Sequence, residues 1–147
     1  MSDRQGRLIE SADDIAELLR TVTSVAVLGI KTEAQADQPA HYVPAYCQRA
    51  GLEVIPVPVY YPEAKSILGQ PVYRTLAAIE RAVDLVNVFR RPADVDQHVD
   101  DIVAKRPRAV WLQSGIRNDA AAARLVRAGI DVVQDRCLMV ELRRLGR

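Results

Sequence analysis

Five short apolar runs, separated by helix-patterned stretches, constrain this chain more than any other feature. Ser24–Leu28, Glu53–Val57, Asp84–Val88, Ala109–Leu112 and Ile130–Val133 are mostly apolar and rich in β-branched residues. Such runs suit strands buried on both faces, as in a parallel sheet. A parallel neighbour needs a crossover, and the intervening stretches have the length and pattern to supply one. The fold expected is therefore α/β: a three-layer sandwich around a mostly parallel five-stranded sheet, its first β-α-β unit crossing right-handed.

The helices are marked by their ends. Ser11 before Asp13 and Asp14 reads as a helix start, because a capping oxygen and early carboxylates satisfy free amides and the dipole. Ile15, Leu18, Leu19 and Val22 then form one apolar stripe. The helix after the first strand should end at Gly51, a residue suited to the position just past a helix. Residues 58–68 read as irregular, Pro71–Tyr73 as a short edge strand where proline is tolerated, and Thr75–Ala82 as a short helix. Pro92 opens a helix whose Val95, Val99, Ile102 and Val103 face the core. Asn118 caps a helix that Gly129 ends, and Leu138–Leu145 closes the fold.

Length and composition bound the rest. At 147 residues the chain suits a single domain, residues 1–147, with 1–22 packed on it as an N-terminal helical segment. A net charge of +1 gives no global field toward nucleic acid or an acidic membrane, so any basic site must be local. Cys47 and Cys137 are too few for a disulfide framework and lack the partners of a zinc site. No run approaches a bilayer span, and the charged N-terminus lacks a signal-peptide core, so a cytoplasmic setting is expected.

Chemistry, if present, sits where the apolar runs stop. The first ends in Gly29-Ile30-Lys31, a single glycine in place of Gly-x-Gly-x-x-Gly. Pro56-Val57-Pro58-Val59 stands where an acidic residue would hold a ribose, so ordinary NAD binding is disfavoured. A helix start near Pro39–Pro44 is expected to offer amides to an anion, with His41 close by. Phe89-Arg90-Arg91 can stack a planar base and grip phosphates; alternatively Phe89 is core and the arginines are solvated or paired with Asp94 and Asp96. Gln113-Ser114-Gly115 permits close backbone approach, or is a plain loop. Trp111 reads as core and His98 as structural or surface. Cys137 reads as an inert buried thiol, with a reactive one the alternative. No spacing marks a nucleophilic triad or a metal site.

Taken in order, these strings resemble the small stand-alone coenzyme A-binding domain proteins, which are similar to the N-terminal domain of the succinyl-CoA synthetase α subunit. The matching segments are Val25–Gly29, Gly51–Val57, Leu68–Tyr73, Asp84–Pro92, Val110–Ile116 and Asp135–Cys137. The resemblance implies a Rossmann-like sheet holding CoA or an acyl-CoA across the strand tips. Gly29, Ile30 and Lys31 would approach the phosphates, and Phe89, Arg90 and Arg91 would line the nucleotide. Leu112, Gln113 and Gly115 would border the pantetheine arm, with Asn118, Arg136 and Cys137 at the mouth. Lys31, Gln38-Pro39-Ala40 and Pro58-Val59 depart from the family's usual residues. The synthetase's phosphohistidine domain has no counterpart, so a binding protein without catalysis of its own is expected. An NAD(P)-dependent oxidoreductase or redox sensor, or an interaction protein on an emptied fold, are the alternatives.

Overall fold

The computed structural model describes residues 5–147; the first four residues of the expected N-terminal segment lie outside the described residues. Its helices are α1 (Ala12–Thr21), α2 (Pro39–Arg49), α3 (Val99–Lys105), α4 (Asp119–Arg127) and α5 (Leu138–Arg144). The strands are β1 (Ser24–Leu28), β2 (Glu53–Val57), β3 (Ser66–Ile67), β4 (Gln70–Pro71), β5 (Leu85–Val88), β6 (Ala109–Leu112) and β7 (Asp131–Val133). The main sheet runs β2-β1-β5-β6-β7, and every pairing in it is parallel. Residues 7–9 lie along the free edge of β7, where the Ile9 amide donates to Val132 and the Val132 amide to Arg7.

Alternation of side chains splits the core into two layers, as a sheet covered on both faces requires. Ala26, Leu28, Val86, Val88, Val110 and Leu112 pack with Val99 and Ile102 of α3 and Leu125 of α4. Val25, Val27, Leu85, Ala109 and Trp111 face Leu18 and Leu19 of α1, Val43 of α2 and Leu142 of α5. Trp111 is fully buried, as expected, and its indole N–H donates to the Arg136 carbonyl at 2.8 Å. Ser11 accepts from the Asp14 amide and Asn118 from the Ala121 amide, the two caps read from sequence.

Three expected elements differ. Gln70–Pro71 does not join the main sheet; Leu68 and Gly69, both at positive φ, fold it back on Ser66–Ile67 as a two-residue hairpin. The Tyr73 amide reaches β2, donating to Pro56 at 2.9 Å. Thr75–Ala82 holds a single 3-10 turn, Leu76–Ala78, because Asp101 of α3 takes the Leu76 and Ala77 amides and Lys105 donates to the Ile79 and Arg81 carbonyls. The helix expected from Pro92 begins at Val99. Two 3-10 turns precede it, and the Asn118 side chain donates from Nδ2 to both the Pro92 carbonyl and the Asp96 carboxylate.

At the end of the sheet away from the site, Asp84 ties β1 to β5. Its Oδ2 accepts from the Thr23 amide and hydroxyl and from the Ser24 amide, at 2.8, 2.9 and 3.2 Å. Partial burial pushes this carboxyl up, but those bonds outweigh burial and hold it below the ordinary 3.8. A depressed carboxylate contributes stability above its unfolded pKa and loses it as pH falls through the folded value. Asp84→Ala is therefore expected to cost about 1–2 kcal/mol at neutral pH, allowing for partial exposure. In urea titrations the gap from the parent protein should narrow below pH 3.8.

Candidate functional site

The chain leaves β1 for β2 on one side and returns to β5 on the other, so the strand order reverses between β1 and β5. Open α/β sheets bind ligands at the carboxyl ends flanking such a reversal. Here those ends are Gly29 and Phe89, which are drawn tightly together. The Phe89 amide donates to Leu28 at 2.9 Å. A Cβ on Gly29, whose φ is +89, would stand 2.3 Å from the Phe89 carbonyl oxygen and 3.4 Å from Arg90 Cδ. Glycine is required by both backbone angle and space.

Arg90 lies over this junction with its side chain only 9% exposed. Its Nε donates to His98 Nε2 at 3.0 Å and its Nη1 to the Tyr60 hydroxyl at 3.3 Å, while its Cζ sits 5.5 Å from the Tyr60 ring centre. Asp94 is 3.8 Å from Arg90 but 2.8 Å from Arg91, so two guanidinium groups share one carboxylate. Arg91 is 83% exposed. Lys31 Nζ donates to the neutral Gln38 amide oxygen. The junction is thus locally cationic in a protein of net charge +1.

Burial, and then the charge of Arg90, hold the His98 ring below its ordinary 6.5. Accepting from Arg90 also requires an unprotonated Nε2. The unfolded ring takes up a proton first as pH falls below 6.5, so stability should drop from there until the folded ring itself titrates. An NMR titration is expected to find His98 still neutral where a free histidine is half charged.

The structure sorts the residues expected at the site. Gly29 and Arg90 meet at the β1–β5 junction, while Lys31, two residues past Gly29, pairs with Gln38 and the exposed Arg91 pairs with Asp94. Phe89 is half-buried against the second apolar layer rather than standing free; the exposed aromatic against Arg90 is Tyr60, at 62%. Ile30 and Leu112, expected beside the ligand, have fully buried side chains and reach the tips only through backbone. Gln113 is buried, accepting from Asn87 Nδ2 and the Leu138 amide; Asn87 Oδ1 has no partner among the described residues. Gly115, at φ +84, has open space where a Cβ would stand, and its amide donates to Asp135 at 2.7 Å. Asn118 is engaged as a cap and brace, and Arg136 donates to the Glu10 carbonyl.

Two expectations need correction. The start of α2 is a poor bank of amides: Pro39 has none, and His41 and Tyr42 both donate to Gln38. His41 is not at an anion site but bonds Glu33 at 2.9 Å; Glu33 also accepts from the Leu68 amide, fastening the hairpin. Cys47, buried, has its thiol pushed up to about 12 by burial and by nearby Cys137, which is half-buried. Sequence reading missed Tyr60 and the His98–Arg90 contact. The Tyr60-Tyr61-Pro62 cluster directly after the second strand was the available signal.

No described helix is long and apolar enough to cross a membrane, and among the described residues no cluster of His, Cys, Asp or Glu is arranged to hold a metal. The profile of the CoA binding domain family matches residues 23–143. YneT of Bacillus subtilis strain 168 is 32% identical over 130 residues, which span 88% of this chain and 93% of that protein. A Thermus thermophilus protein of solved structure superposes with a TM-score of 0.84 at 38% identity, covering 92% of this chain and 99% of its own. The dinucleotide-forming acetyl-coenzyme A synthetase 1 of Ca. Korarchaeum cryptofilum shares the fold at 17% identity and a TM-score of 0.65, over 78% of this chain and 27% of that one. With its all-parallel Rossmann-like sheet and a profile match over most of its length, the chain belongs to the CoA binding domain family.

Proposed function

We propose that this protein binds CoA or an acyl-CoA across the tips of β1, β5 and β6, in the cytoplasm and without catalysis of its own. The observation that carries this reading is the Arg90 guanidinium, largely buried over the Gly29 turn and hydrogen-bonded to neutral His98 and Tyr60. The Asp94 carboxylate stands 3.8 Å from Arg90 and lies closer to Arg91, so it neutralises this desolvated cation only in part and leaves charge for a phosphate. Lys31 and the exposed Arg91 add charge on either side. The absent Gly29 side chain keeps the junction narrow enough for backbone and guanidinium to share one anion. Gln113 and Gly115 border the arm that follows. When bound, CoA supplies a thiol able to carry an acyl group as a thioester; the chain's own residues bind and orient it.

A thermal-shift panel of CoA, acetyl-CoA, NAD and ATP tests this, since a ligand that binds only the folded state raises its apparent stability. CoA and acetyl-CoA are expected to raise Tm and NAD to leave it unchanged. A shift with NAD alone favours the oxidoreductase reading. No shift with any nucleotide favours an interaction protein.

A further inference from the structure

We infer that Arg74 is a positioning residue for this site, acting through Tyr60 on the Arg90 guanidinium; the inference rests on the CoA reading. Tyr60 follows β2 and Arg90 follows β5, and β1 lies between those strands. The Tyr60–Arg90 contact therefore arches over the end of β1, above the Gly29 turn. The 60–64 loop supplies little hold of its own: the Tyr60 and Tyr61 rings meet edge to face, 6.5 Å between centres. Tyr61 is at φ +63, an uncommon angle for a residue with a side chain, and the loop's internal backbone bond is from the Ala64 amide to Tyr61.

Arg74 supplies what is missing. Its Nη1 donates to the Tyr60 carbonyl at 3.2 Å, and its Nη2 to Tyr61, Pro62 and Ala64 at 2.9, 3.2 and 2.8 Å. Four carbonyls of one loop converge on one planar group. A rigid fork of donors suits that task, whereas a lysine ammonium is a single point of charge. Arg74 itself lies beyond the β3–β4 hairpin and forms no hydrogen bond to Arg90. Its effect on the site passes through the loop: fix the carbonyls, fix Tyr60, and Arg90 stays aimed over the junction.

The test is calorimetric titration with CoA of the parent protein, Arg74→Ala, Tyr60→Ala and the double variant. Arg74→Ala is expected to weaken CoA binding roughly 5- to 20-fold by losing preorganisation. In the Tyr60→Ala background the same change should have little further effect, because coupled residues are not additive. A purely structural role would give equal losses in both backgrounds, and that outcome overturns the inference. Should Arg74→Ala fail to fold, Arg74→Lys serves, with an intermediate loss expected; affinity equal to the parent's overturns it. A second readout does not involve CoA: chymotrypsin should cut after Tyr60 several-fold faster in Arg74→Ala, as loosened loop tips are preferred sites of nicking. Unchanged cleavage overturns the clamp alone. Absence of CoA binding by the parent protein overturns the reading beneath it, while the cleavage arm still reports on the loop.

Discussion

Arg90→Ala is expected to weaken CoA binding by about 1.5–3 kcal/mol, roughly 10- to 150-fold in Kd, the range for hydrogen bonds to charged groups. The effect is large because the side chain is 9% exposed, where competition from water and salt is weak. Arg91, at 83% exposure, should behave differently. Its replacement is expected to reduce affinity less, with the difference fading at high salt. Removing Arg90 also strips His98 Nε2 and the Tyr60 hydroxyl of a donor. Each variant's urea midpoint must therefore be measured beside its calorimetric titration. Equal Kd for the parent, the single variants and the double variant would remove the arginines from the site.

Gly29→Ala is expected to destabilise the fold by about 2–4 kcal/mol. Two costs act together: an L side chain at φ +89, and a Cβ placed 2.3 Å from the Phe89 carbonyl oxygen. The obstacle is backbone, so no rotamer change relieves it. The tips of β1 and β5 must part, straining the Phe89-to-Leu28 bond and shifting Arg90. A lowered urea midpoint with unchanged slope is the expected signature, accompanied by weaker CoA binding. A midpoint within experimental error of the parent's would show that the two tips do not meet as closely as described.

The five main strands were legible because each is an apolar run buried on both faces, and burial leaves the plainest mark on sequence. The residues between β2 and β5 were not. There the backbone is satisfied by side chains distant in sequence: Asp101 holds Leu76 and Ala77, Lys105 holds Ile79 and Arg81, and Arg74 holds the 60–64 carbonyls. Local propensity carries no trace of such partners. The same limit explains the site. Gly29 and Gln113 could be picked out because each directly follows a recognisable strand, and Arg90 because it comes two residues after one. Phe89 and Tyr60 could not be assigned the inner and outer positions from sequence, since that choice depends on which loop arches over β1. His98 reads from sequence as structural or surface, and the structure has it accept from the Arg90 guanidinium.

The central claim is that the nucleotide lies at the carboxyl ends of β1, β5 and β6, over the Gly29 turn. A backbone amide NMR titration with CoA tests it most directly. Shifts concentrated at Gly29–Lys31, Phe89–Arg91 and Gln113–Gly115 are the predicted result. Unmoved spectra at saturating CoA, or shifts gathered at the opposite end around Asp84 and Asp131, would contradict it.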